Sequence, residues 1–250
     1  MTPFGVSRSY VCRNHALIAP ESFVPTTLPG WQKAQGIHLI GPCLGARFSQ
    51  YLAVLEPGGT AAPPLAGVER FLYVLEGDVT LELRGGETHR LGLGGYAFLP
   101  PEVPSQLWAK NACRLNIFEK RYVPLAGAGA PRPIFGQEQD VAGVPFLGDP
   151  DAVLKTLLPQ EPSFDLAVNI FTYCPGAALP LVEVHVMEHG LLMLDGQGVY
   201  RLDGAWYPVQ QGDVIWMGPY CPQWFVAMGK RPARYLYYKD VNRDPMERPA

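Results

Sequence analysis

Two tandem copies of one all-β unit, preceded by an N-terminal arm, are what the sequence predicts. Three observations carry that prediction. The 26 prolines and 27 glycines cut the 250-residue chain into short segments, which favours turns and strands over long helices. Many segments alternate β-branched or aromatic residues and close on glycine or proline, the pattern of half-buried strands. The patterns then recur at an offset near 118 residues: FLYVLEG at 71–77 matches GLLMLDG at 190–196, and GGYAFLPPEVPSQ at 94–106 matches QGDVIWMGPYCPQ at 211–223. Such self-similarity reads as duplication. Each copy, of about 75 residues, is small for independent stability, so the two are expected to pack together.

Residues 1–35 read as the arm: one apolar patch, YVCRNHALIAPESFV, runs into the turn-rich PTTLPG. His15, and His38 just beyond, have no second ligand type at useful spacing and read as surface or strand-end histidines. Residues 36–123 form the first copy, with strands in GARFSQYLAVLEPGG, ERFLYVLEGDVTLELRGG, ETHRLGLGGYAFLPP and ACRLNIFEKRYVP. EGD and RGG read as hairpin turns. Residues 124–165, rich in Gly, Pro and Ala, read as a linker, with one short helix in DAVLKTLLP capped by Asp149 or Asp151. Residues 166–250 are the second copy.

Composition narrows the function classes. Net charge is −3 without a basic run, which argues against nucleic acid as a partner. The five cysteines are odd in number and contain no CxxC pair, which suits a reduced cytoplasmic protein. Neither a signal-peptide pattern nor a run of roughly 20 apolar residues is present, so no membrane association is expected. No GxSxG, GxxxxGK[ST] or GxGxxG offers a competing chemistry.

The chemistry lies in GAALPLVEVHVMEHGLLMLDG. Glu183 and His185 are two apart and share a face if extended; His189 is placed to return on the next strand of a hairpin. Gln223 offers a fourth, neutral oxygen. Two imidazoles, a carboxylate and an amide form a harder donor set than zinc thiolate sites, and manganese or iron fits it. Glu188, of opposite parity to His189, reads as supporting or outward-facing. Tyr235, Tyr237 and Lys239 alternate onto one face of ARYLYYKD, which makes Lys239 a candidate proton donor or acceptor beside the donor set. Trp206, Trp216 and Trp224 read as core or rim. The first copy carries Pro64, Ala66, Arg70 and Gln106 at the corresponding positions, so its barrel is expected to hold no metal.

A glycine-bounded histidine motif followed by a G…PxG…H motif resembles the cupins, and two such blocks resemble a bicupin: two double-sheet, jelly-roll-type β-barrels. Here Glu183 stands at the usual first histidine, His189 at the usual glutamate and Gln223 at the usual last histidine. That altered set resembles the (S)-ureidoglycine aminohydrolase family. So do RNHALIAPESFV near the start, FEKRYVP in the first copy, EVHVMEHG and GQGVYRLD in the second, and the closing YYKDVNRD. The resemblance implies Mn2+ held by Glu183, His185, His189 and Gln223. It also implies substrate contacts from Tyr200, Tyr235, Lys239, Glu183 and Gln223, with Lys239 and Glu183 catalytic. The implied reaction is hydrolysis of ureidoglycine in allantoin catabolism by a homo-oligomer. An iron-dependent dioxygenase, or a non-catalytic ligand-binding cupin, are the rival expectations; a third histidine in place of Gln223 would favour the dioxygenase.

Overall fold

The computed structural model describes residues 7–246; residues 1–6 of the expected arm and 247–250 of the second copy lie outside that range. Among the described residues there are twenty-one strands, three single-turn 3-10 helices and no α-helix. The all-β expectation holds, for the reason the sequence suggested: glycine and proline punctuate the chain every few residues.

Both copies are built on the same three strands. In the first, Val68–Glu76 pairs with Gly95–Leu99 on one side and Cys113–Arg121 on the other. In the second, His189–Asp195 pairs with Val214–Met217 and Ala233–Asp240. The turns that leave these strands are equivalent too. Gly77 and Gly196 have φ of +73° and +74°, and a Cβ on either would lie 2.3 or 2.4 Å from a carbonyl oxygen, that of Ala112 or Pro232. Only glycine tolerates both the left-handed backbone and that approach. The duplication is thus written into the backbone as well as the side chains.

Several expectations are corrected. The EGD turn joins no hairpin: Val68–Glu76 and Val79–Leu83 are not neighbours in the sheet, so the turn carries the chain across the barrel, whereas RGG does close the Val79–Leu83/Thr88–Leu91 hairpin. The 124–165 segment is more than a linker. Ile134–Gln137 adds an edge to the first copy's ten-stranded sheet, and Val144–Phe146 and Asp149–Thr156 add two strands to the second copy's eight-stranded sheet. DAVLKTLLP is therefore strand where a helix was expected. Sheet pairing with Leu166–Tyr173 supplies backbone partners that an isolated helical turn would lack. The N-terminal strand His15–Ile18 pairs with Val214–Met217, so the arm is sewn into the second copy's sheet. His15 opens this strand, as the strand-end alternative had it, but is buried and not a surface residue, hydrogen-bonded to the Tyr207 hydroxyl at 2.8 Å and to Asn14 at 3.0 Å.

The two barrels share one core. Phe48, Phe71 and Phe118 of the first meet Val168, Trp216 and Tyr238 of the second. The rings of Phe48 and Tyr238 stack at 4.1 Å, and Gly190 lies so close beneath Phe48 that a Cβ there would fall 2.5 Å from the ring. Glu188 joins this interface: fully buried, it accepts bonds from Arg47 (2.9 Å) and Trp216 (3.2 Å), facing away from the cavity that His189 enters.

A second interfacial cluster sets a pH-dependent term. Glu69 is fully buried beside Asp165, which pairs with Lys120 and accepts the Val123 N–H at 2.8 Å. Neither Glu69 oxygen nor Asp165 Oδ1 receives an N–H donor, so a proton held on Glu69 is what reconciles the two carboxyls. Burial, then the neighbouring Asp165, drives the Glu69 pKa far above the carboxylate range. A raised folded-state pKa means stability is fully present below the ordinary carboxylate pKa and is lost as pH rises toward the folded value. Glu69→Gln keeps the shape and a donor but removes the titration. Its melting temperature should exceed that of the unaltered protein by roughly 2–4 °C near pH 8, with a smaller gain near pH 5. Parallel pH–stability curves for the two would mean that Glu69 is not held neutral.

Candidate active site

One cavity of about 460 Å³ opens in the second barrel, and all seven residues expected at the site line it: Glu183, His185, His189, Tyr200, Gln223, Tyr235 and Lys239. His189 starts the strand His189–Asp195 and sits in register with Met217 and Lys239 on its two neighbours. Gln223 starts Gln223–Met228. Glu183 and His185, expected on a strand, lie instead in an irregular segment stitched to the barrel at single points. Glu183 exchanges two backbone bonds with Gln223 (2.9 and 3.0 Å), and the His185 carbonyl accepts the Tyr220 N–H at 2.8 Å. Pro180 interrupts any continuous ladder there.

The donor geometry centres on His185. Its Nε2 is 3.2 Å from His189 Nε2 and 3.2 Å from Gln223 Nε2. Its Nδ1 donates to the Met187 carbonyl at 3.0 Å, because a carbonyl can only accept. In the neutral ring that bond leaves Nε2 with its lone pair directed at the other donors, the tautomer a metal ligand needs. Burial, reinforced by His185 and Lys239, lowers the His189 pKa well below the usual value. Burial raises the Glu183 carboxyl, against the pull of His185 and Lys239. Among the described residues no three His, Cys, Asp or Glu side chains are grouped tightly enough to cage an ion by themselves. A divalent cation would therefore fit these donors only as a mixed set of two imidazoles, the Glu183 carboxylate and the Gln223 amide oxygen.

Tyr200 and Tyr235 line the same cavity, and Tyr173 is buried against Tyr235. Tyr173 and Tyr235 hydroxyls are 3.1 Å apart, and the Tyr200 ring lies 6.3 Å from that of Tyr235. Burial pushes all three phenols above their usual pKa, so they remain protonated hydrogen-bond donors. Trp216 is core, whereas Trp206 is mostly exposed.

The first barrel differs at the matching place. Arg70 occupies the register position of His189, and Glu119 that of Lys239. The two close on each other at 2.6 Å, and Arg70 also donates to the Ala62 carbonyl at 2.8 Å. Gln106 lies exposed on its strand.

Sequence reasoning gave no role to several cavity residues, Asn169 and Tyr237 among them. Asn169 was not singled out, although it is the lone amide in LAVNIFTY at a parity that faces inward. Tyr237 was placed on the correct face without a role; it packs 5.5 Å from His189. Both line the cavity.

Comparison with known proteins agrees with this architecture. The cupin domain family matches residues 169–238, and the EutQ-like cupin domain family matches residues 44–122. The chain is 45% identical to a rice (Oryza sativa subsp. japonica) protein named "Probable (S)-ureidoglycine aminohydrolase", covering 97% of this chain and 78% of the relative. It is 42% identical to the (S)-ureidoglycine aminohydrolase of Arabidopsis thaliana, covering 97% and 80%. Among solved structures, the Ylba protein of Escherichia coli superposes with a TM-score of 0.84 at 34% identity, covering 96% of each chain.

Proposed function

The chain belongs to the (S)-ureidoglycine aminohydrolase family of bicupins, and we propose that it hydrolyses (S)-ureidoglycine to (S)-ureidoglycolate and ammonia using bound Mn2+. The observation that carries this reading is the convergence of His189 and Gln223 on His185 Nε2, each at 3.2 Å, on one side of a cavity that also contains Tyr200, Tyr235 and Lys239.

Glu183, His185, His189 and Gln223 would hold the cation. Bound there, it supplies Lewis acidity and an anchor for the substrate carboxylate and an adjacent heteroatom. The remaining work belongs to the chain. The Tyr200 and Tyr235 hydroxyls donate to the anchored carboxylate, fixing which face of the reacting carbon is open. Glu183 accepts from a substrate N–H, and Gln223 helps to seat the ureido end. Lys239 Nζ gives a proton to the departing amine as the C–N bond breaks. Water oxygen bonds to that carbon, and its proton returns to Lys239, so the lysine is restored. The five free thiols suit a reducing compartment, in keeping with a cytoplasmic enzyme. Self-association is part of the same reading and is checked by light scattering.

Ureidoglycine decays in water, so activity is judged against the spontaneous reaction. The substrate is generated in place from allantoate by an allantoate amidohydrolase, manganese is added, and chiral ureidoglycolate and ammonia are followed. Formation of the (S)-product above background, and its loss in Glu183→Ala, is the expected result. Racemic product at the uncatalysed rate would end this reading.

A further inference from the structure

Asn169 is a 4%-exposed amide on the strand Leu166–Tyr173. Facing strands set its direction. Ala167, Asn169 and Phe171 lie in register with Lys239, Tyr237 and Tyr235, and all six line the cavity. The alternate residues Val168, Ile170, Leu236 and Tyr238 enter the core between the barrels. The amide is therefore held on the cavity side by the pleat of two central strands.

Its neighbour across the sheet is fixed as well. Tyr237, in register with Asn169, stacks on Phe171 at 5.7 Å and 12° and lies 5.5 Å from His189, which leaves the phenol little freedom. A carboxamide has two N–H donors and two acceptor lone pairs to satisfy. Burying them is costly unless something in the cavity completes them. A ureido group is the complementary planar partner: its carbonyl accepts from the amide NH2 while its N–H donates to the amide oxygen. Lys239 stands one inward-facing position from Asn169, so a ligand that reaches the lysine also reaches the amide.

The geometry points to Asn169 as the residue that recognises the ureido group and sets specificity for ureido acids, with Tyr237 as its positioning residue. This rests on the reading of the cavity as a ureidoglycine aminohydrolase site. The test uses the full-length manganese-loaded protein and its Asn169→Leu and Asn169→Asp variants. Turnover is measured with ureidoglycine, and binding by calorimetry with two stable probes: N-carbamoylglycine, which has the ureido group, and glycolate, which lacks it. Both variants should lose about 10- to 100-fold in kcat/KM and in affinity for N-carbamoylglycine, the scale of an unpaired buried polar group. Glycolate affinity and metal content should not change. Unaltered preference for N-carbamoylglycine over glycolate, or equal loss of both probes, would overturn the assignment. If Asn169→Leu does not fold, the isosteric Asn169→Asp, which lacks the N–H donors, carries the same test. Absence of turnover in the unaltered protein would sink the proposed reaction, while the two-probe comparison would still decide the role of Asn169.

Discussion

Replacing His185 with alanine is expected to reduce turnover to the uncatalysed rate and to abolish manganese binding. His185 is the hub of the donor set, since its Nε2 alone lies 3.2 Å from both His189 and Gln223. Without it, one imidazole, a carboxylate and an amide remain, the last two on the Glu183–Gln223 bridge and the first at the start of its own strand. Folding should be spared. His185 is only partly buried, in an irregular segment outside the aromatic core, and its side chain bonds the backbone only at the nearby Met187 carbonyl. Thermal unfolding separates the two effects. A ligand that binds only the folded state stabilises it by about 2.7 kcal/mol at a hundredfold excess over Kd. For a chain of this size that is roughly 5–10 °C. The unaltered protein should show this rise on adding manganese, while His185→Ala should melt at one temperature with or without it. A retained rise in the variant would remove His185 from the ligands.

The donor set was legible because its spacing survives any local backbone. Glu183, His185 and His189 were read on paired strands, yet an irregular segment with a single bridge to Gln223 brings the same atoms together. What the reading needed was proximity along the chain and a second motif to fold back onto it, and the repeat supplied that second motif. The strands of 124–165 were not legible for the opposite reason. Asp149–Thr156 is partly exposed and its pattern is ambiguous between helix and strand; its conformation is fixed by Leu166–Tyr173, to which it hydrogen-bonds. The buried acids followed the same logic. Glu69 and Glu188 look like ordinary surface carboxylates until each barrel is laid over the other. Asn169 was hidden because one amide in an apolar strand has no partner within its own segment; its meaning depends on Tyr237, 68 positions on, which faces it across the sheet.

Lys239→Met is expected to lower kcat by about 10²- to 10⁴-fold, the usual range for loss of a general acid, while the manganese-induced rise in melting temperature persists. The argument comes from comparing the two barrels. At the same register position the first barrel pairs Arg70 with Glu119, a closed ion pair that satisfies both charges internally. The second barrel places His189 beside Lys239, which cannot neutralise each other, so both are directed into the cavity. On the proposed reading, Lys239 thus offers its proton within the cavity without being needed to hold the ion. Methionine matches the stem in length and apolarity, so packing against the neighbouring strands should change little. Lys239→Arg then separates charge from proton transfer: arginine keeps the positive charge but does not release a proton near neutral pH. If the lysine acts as the acid, both variants are slow and both still bind manganese. If it serves only to steer the anionic substrate, Lys239→Arg should recover most of the rate, with the defect of Lys239→Met appearing in KM. Near-normal kcat in Lys239→Met would remove the lysine from the chemistry.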